Sequence, residues 1–234
     1  MSSTPRRGPA LFDPEAELRG PVREPGTAAV RPRPAATLIL LDRSGPEMRV
    51  LMGRRHGRHD FMPDKWVFPG GRVDPADGRA PTLSDLPPEA ADPLARAFPR
   101  RPRLPRALGV AAVRETWEEA GLALGEAGHG GAPPRGDLAA LELVARAVTP
   151  PYRGKRFDTV FFAADADRLA SRERAGGSGE LAELNWFALE ETGRLDLPAI
   201  TRVILGQLDE RLADPSRPPL CMTFRYGKHR QEPM

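Results

Sequence analysis

Apolar and polar positions divide the chain into short runs whose period changes along its length. Ala35 to Asp42 (AATLILLD) is an almost unbroken apolar run of strand length, and Met48 to Arg55 (MRVLMGRR) is a second. Arg43 to Glu47 between them carries Ser, Gly and Pro, so the two runs read as a β-hairpin. Lys65 to Asp74 (KWVFPGGRVD) reads as a strand ending in a Pro-Gly-Gly turn, where the backbone can approach a ligand closely. From Ala76 to Pro105 no strong period holds beyond a short helix around Glu89 to Phe98, and this stretch reads as an insertion. Arg106 to Ala120 then carries apolar or small residues at Leu108, Ala111, Ala112 and Trp117, has no proline, and is followed by Gly121. That pattern predicts a helix with a glycine cap. Gly125 to Gly136 reads as a flexible loop, and Leu141 to Val148, Phe157 to Ala163 and Leu181 to Leu189 as strands. Pro198 to Ala213 places Ile200, Val203, Ile204, Leu208 and Leu212 at helical spacing. The order of strands, helix, strands and helix predicts an α/β fold.

Composition sets the domain plan. Residues 1–34 hold seven prolines among Gly and Arg and are expected to form a loosely held arm. Residues 35–215 form the expected domain, with the insertion at about 78–105, and 216–234 a C-terminal extension. With 234 residues, 40% hydrophobic and 29% charged, the chain can bury a core as one domain. Its longest apolar stretch falls far short of the roughly 20 residues a spanning helix needs, which excludes that class of membrane protein. The first twenty residues lack the apolar segment of a secretory leader, so a cytoplasmic location is expected. The single cysteine, Cys221, allows no internal disulfide and no cysteine-rich zinc site, leaving oxygen or histidine to hold any metal. The net charge of +3 comes from arginines scattered among acids, with lysine only at 65, 155 and 228. A nucleic acid is therefore not expected as partner.

The chemistry concentrates on the predicted glutamate helix. In Arg114-Glu-Thr-Trp-Glu-Glu-Ala-Gly-Leu122, Glu115, Glu118 and Glu119 stand at i, i+3 and i+4 and share one helix face. Like charges so placed cost a helix a few tenths of a kcal/mol per pair, and the C-terminal end of the helix dipole disfavours them further. Read alone, the cluster is an exposed acidic face neutralised by Arg106 and Arg114. Read as a site, it is a platform for a hard divalent cation, whose binding offsets the repulsion.

Its context favours the second reading. Phe68-Pro-Gly-Gly-Arg-Val-Asp-Pro-Ala-Asp77 together with the glutamate helix resembles the Nudix hydrolase signature. That signature is a glycine, five residues, Glu, seven residues, then Arg-Glu-apolar-x-Glu-Glu-x-Gly-apolar. Gly71 fits its first glycine, and Arg114, Glu115, Glu118, Glu119, Gly121 and Leu122 fit its second half in register. The resemblance implies a Nudix-type α/β/α sandwich with a mixed sheet and metal-dependent hydrolysis of a diphosphate linked to another moiety. It further implies a catalytic set of Arg114, Glu115, Glu118 and Glu119. Mg²⁺ or Mn²⁺ would be held by those glutamates and the Gly71 carbonyl, with Arg114 orienting them. Three departures stand out. Asp77 falls where the signature has its first Glu, residues 78–113 fill a gap of seven with an excess of about 29, and Thr116 takes an apolar position.

The segment from Phe61 to Asp77 and the long insertion look like the Nudix branch related to mammalian peroxisomal coenzyme A diphosphatases, which implies coenzyme A or an acyl-coenzyme A as substrate. Arg54 and Arg55 could clamp its phosphates or simply end a strand in solvent. Arg153 and Arg156, in a basic turn with Tyr152 and Lys155, are further candidates for substrate contact. His56 and His59 flank the same loop as surface residues or phosphate ligands, and Glu180 and Glu183 are candidate general bases. Trp66, Phe68, Trp186 and Phe187 read as core. An ADP-ribose or dinucleotide pyrophosphatase is the alternative within this chemistry. A non-catalytic nucleotide-binding regulator is the alternative outside it, and a second copy of the chain is a candidate partner.

Overall fold

The computed structural model describes residues 30–56, 64–128, 132–173, 177–226 and 228–234. The expected arm therefore falls almost wholly, and His59 entirely, outside the described residues. In chain order the strands are β1 (Arg33–Asp42), β2 (Arg49–Arg55), β3 (Trp66–Val67), β4 (Gly70–Arg72), β5 (Thr82–Ser84), β6 (Gly125–Glu126), β7 (Arg135–Asp137), β8 (Glu142–Val148), β9 (Phe157–Asp165), β10 (Leu181–Ala188), β11 (Leu220–Arg225) and β12 (Lys228–Pro233). The helices are α1 (Pro88–Ala97), α2 (Leu104–Ala120) and α3 (Ala199–Ala213).

The main sheet is mixed and runs β10-β2-β1-β9-β8-β11-β12, with β3 on β2 and β4 on β1. Its centre is β1, parallel to β9 along nine residue pairs and antiparallel to β2 and β4 at its two ends. Alternation along β1 explains why it lies in the middle. Ala36, Leu38 and Leu40 enter one core while Ile39 and Leu41 enter the other, so both faces are covered. The same alternation in β9 sends Val160, Phe162 and Ala164 to the first core and Phe161 and Ala163 to the second. Leu104, Leu108, Ala111 and Ala112 of α2 close the first core, and Ile204, Leu205 and Leu208 of α3 close the second. The result is the expected α/β/α sandwich.

Two sequence expectations need correction. The run from Lys65 to Asp74 is two short strands, because Trp66–Val67 pairs with β2 while Gly70–Arg72 crosses to β1. The stretch read as a flexible loop from Gly125 contains β6, which pairs with β7, and β7 pairs in turn with β5 of the insertion. The C-terminal residues form the β11–β12 hairpin, and β11 adds in parallel to β8. The aromatics pack as expected, with Phe68 buried and Trp66 edge-on to Phe187 at 4.8 Å. No helix among the described residues is long and apolar enough to cross a membrane.

Candidate active site

The glutamate helix α2 begins with a proline in its first turn and ends at Gly121, whose φ of 70° is left-handed and whose N–H donates to the Trp117 carbonyl at 2.9 Å. Its N-terminal half is buried in the core, so the polar C-terminal half is carried out beside β4. Thr116, the polar residue at an apolar signature position, is fully buried there and donates its hydroxyl to the Ala112 carbonyl at 2.8 Å.

Two glycines let strand and helix approach. A Cβ at Gly70 would come within 2.5 Å of the Ala36 carbonyl oxygen, and one at Gly71 within 2.5 Å of the Glu115 carboxylate. Backbone is thus pressed against backbone at Gly70 and against a carboxylate at Gly71, which a side chain there would displace. The Gly70 N–H donates to Glu119 Oε2 at 3.0 Å.

Arg114 organises the carboxylates. Its Nη1 donates to Glu115 Oε1 and to Glu118 Oε2, both at 2.9 Å, and its Nη2 to the Arg72 carbonyl at 2.9 Å. Nε and Nη2 meet Asp77 Oδ1 and Oδ2 at 2.9 and 3.0 Å, a bidentate pair in which Asp77 is only 2% exposed. A 3₁₀ turn at Asp77–Arg79 holds that aspartate, whose Oδ2 also accepts the Asp74 N–H at 2.6 Å. The turn brings the backbone close enough for the shorter acid to reach. Arg106 takes no part in the cluster, being spent on the Ala80 carbonyl, Thr82 and Asp85.

Burial tunes the acids. Desolvation pushes the Glu119 carboxyl up to about 8, with the Gly70 N–H and the Arg55 charge opposing and Glu115 and Glu180 adding to it. Glu115 is raised by burial as well, against the pull of Arg114 and with the repulsion of Glu118 and Glu180. Glu180 therefore faces the array electrically. Its loop is tied to the helix end, since the Ser178 N–H donates to the Glu118 carbonyl at 2.6 Å. Glu183 is placed differently, paired with Arg54 at 3.3 Å on neighbouring strands.

The other candidates separate in space. Arg55 sits at the end of β2, where its charge reaches Glu119. Arg54 is committed to Glu183 and, at 3.9 Å, to Asp64. Arg156 donates Nε to the Thr149 carbonyl and Nη1 to the Val30 carbonyl, at 3.0 and 2.7 Å, and thereby ties the β8–β9 turn to the chain before β1. Arg153 lies 5.7 Å from the Tyr152 ring in the same turn. Asp77 and Gly70 were the residues whose roles the sequence hid. The signature spacing marks the Asp77 position, but its burial and its grip on Arg114 follow from the turn.

Among the described residues, no three Asp, Glu, His or Cys side chains already surround a metal-sized point. Arg114 draws Glu115 and Glu118 together in place of a cation. The donor set nevertheless fits a hard divalent ion: it is all oxygen, and Glu119 is a buried carboxylate whose charge is disfavoured until a cation compensates it. The Glu118 side chain is 40% exposed and so has room to turn from the guanidinium.

No protein-family model matches the chain. Among solved structures it is similar to a Nudix hydrolase from Alicyclobacillus acidocaldarius, with 26% identity, 76% of this chain and 91% of that chain covered, and a TM-score of 0.56. It is also similar to the NUDIX domain of Shewanella oneidensis NrtR, solved in complex with ADP ribose, at 15% identity, 87% and 95% coverage and a TM-score of 0.49. A C. elegans Ap4A hydrolase aligns at 18% identity over 77% and 98%, with a TM-score of 0.47. The sandwich shared with the Alicyclobacillus protein, together with the signature helix and its glycine strand, places this chain in the Nudix hydrolase superfamily.

Proposed function

We propose that this chain is a cytoplasmic coenzyme A or acyl-coenzyme A diphosphatase that works with Mg²⁺ or Mn²⁺ held by Glu115, Glu118, Glu119 and the Gly71 carbonyl. The observation that carries the hydrolytic part is the array around Arg114. Three carboxylates and a closely approaching backbone converge there, an all-oxygen donor set suited to a divalent ion and a diphosphate. The coenzyme A part rests on the sequence likeness from Phe61 to Asp77 and on Arg55, whose cation stands beside the array and suits a phosphate.

When bound, the divalent ion supplies charge neutralisation on the phosphoryl oxygens and a water of lowered pKa. The chain's own residues do the positioning. Asp77 fixes the Arg114 guanidinium, and Arg114 sets the rotamers of Glu115 and Glu118. The Gly70 N–H orients Glu119. Glu180, on the open side, takes the proton of the attacking water at its carboxylate, as the water oxygen bonds to one phosphorus and the bridging P–O bond breaks.

Turnover of coenzyme A, acetyl-coenzyme A, ADP-ribose, NADH and diadenosine polyphosphates with either metal tests the substrate. Preference for coenzyme A or its thioester in kcat/KM is expected. Cleavage of ADP-ribose or a dinucleotide alone would keep the chemistry and overturn the substrate, and no turnover by folded, metal-loaded protein would point to a nucleotide-binding regulator.

A further inference from the structure

A cavity lies on the α1/α2 face of the sheet, beyond the end of α1, and no helix residue lines it. Its volume is about 360 Å³, at the small end of the roughly 300–1,000 Å³ of small-molecule sites. β8, β9 and the C-terminal hairpin build it, and no signature carboxylate lines it. Arg146 and Asp158 form its floor through a bidentate pair, both contacts at 2.7 Å, with the Arg146 guanidinium 4.4 Å from the Phe98 ring that closes α1. Asp158 is thereby neutralised from within. Arg225 adds a further guanidinium and Glu232 a further carboxylate, while Arg156, which also lines the trough, donates to the Thr149 and Val30 carbonyls. Among the described residues Arg225 has no carboxylate partner within salt-bridge distance.

One atom in this cavity is out of balance. Thr223 Oγ1 is buried and is the only buried side-chain N or O atom among the described residues without a hydrogen-bond partner. Leaving such a hydroxyl unmet costs about 1–3 kcal/mol, a burden that a bound acceptor removes. A guanidinium without a carboxylate partner beside an unmet hydroxyl on a polar floor is the chemistry of an anion site with a hydrogen-bonding ligand.

We propose that this trough binds a small phosphate monoester, its phosphate met by Arg225 and by the hydroxyl of Thr223. Arg225 reads charge, and Thr223 donates its hydrogen to a phosphate oxygen. The paired Arg146 and Asp158 present a rigid polar floor that the sugar or other polar body of the ester contacts. The site stands apart from the glutamate helix and does not rest on the function proposed for it.

The test is titration of the full chain with ribose 5-phosphate, AMP and inorganic phosphate, followed by amide NMR shifts and by protection of Cys221 from a neutral thiol reagent. Cys221 is the chain's single thiol and lines the trough, so protection reports there alone. Saturable shifts in β8, β9 and β11 are expected, with protection of Cys221. Binding should weaken about tenfold in Arg225→Ala and in Thr223→Val, the scale of one charge-assisted hydrogen bond. Thr223→Val should also raise the Tm of the ligand-free protein, and Glu118→Gln/Glu119→Gln should bind as the parent does. Equal affinity for inorganic phosphate and for both esters would reduce the site to one for free phosphate and overturn the ester assignment. Shifts confined to the glutamate helix, or unchanged affinity in both trough variants, would overturn the site itself.

Discussion

Asp77 and Arg114, 37 positions apart in the chain, are locked by two hydrogen bonds of 2.9 and 3.0 Å with the aspartate almost fully buried. The insertion between them leaves this contact intact, because the turn at Asp77–Arg79 packs directly on α2. The pair is the hinge pin of the site: whatever holds Arg114 also holds Glu115 and Glu118.

Asp77→Asn removes the charge and keeps the volume. The largely buried guanidinium keeps Glu115 and Glu118 but loses its bidentate partner, and losing such charge-assisted hydrogen bonds costs about 1.5–3 kcal/mol. Denaturant unfolding should show a loss of that order, with hydrolytic activity falling alongside it. An unchanged midpoint would show that Arg114 is held without its partner.

Gly71→Ala tests the approach of backbone to carboxylate. The added methyl meets Glu115 at 2.5 Å, so the carboxylate must move although the core is untouched. Metal affinity measured by calorimetry should fall about 10–100-fold, the scale of changes that misorient a ligand.

Glu180 and Glu183 separate by role. Glu180→Gln should lower kcat about 10²–10⁴-fold with little change in Tm, as loss of a general base does. Glu183→Gln removes only an exposed partner of Arg54 and should shift stability by at most about 1 kcal/mol and leave kcat near the parent value. Equal losses from the two variants would place the base elsewhere.

The raised Glu119 carboxyl has a defined pH consequence in the metal-free protein. Unfolding returns it to its ordinary 4.5, so between 4.5 and about 8 the folded state binds more protons than the unfolded state. The stabilisation from the buried neutral acid is full below 4.5 and is lost as pH rises through about 8. Metal-free Tm should fall across that window, less steeply in Glu119→Gln. Because the cation needs the carboxylate charged, the Tm gain on adding Mn²⁺ should grow with pH.

Much of this was legible in the sequence for physical reasons. The glutamate helix announces itself because its repulsion is locally unfavourable, and β1, β8, β9 and α3 follow from apolar patterns set by burial on one or both faces. What escaped depends on partners distant in the chain. β6 and β7 are two and three residues long and exist only through pairing. The hairpin of β11 and β12 has one strand exposed throughout, so no apolar alternation marks it. The commitment of Arg54 to Glu183 rests on cross-strand register, which spacing does not reveal.

The most direct test follows coenzyme A by ³¹P NMR with Mg²⁺ or Mn²⁺, comparing the parent chain with Glu118→Gln/Glu119→Gln and with a metal-chelated sample. If the array around Arg114 is a metal-dependent diphosphatase site, the diphosphate resonances give way to 3′,5′-ADP and 4′-phosphopantetheine only in the metal-loaded parent. Cleavage that persists in the folded double variant or under chelation would contradict that assignment.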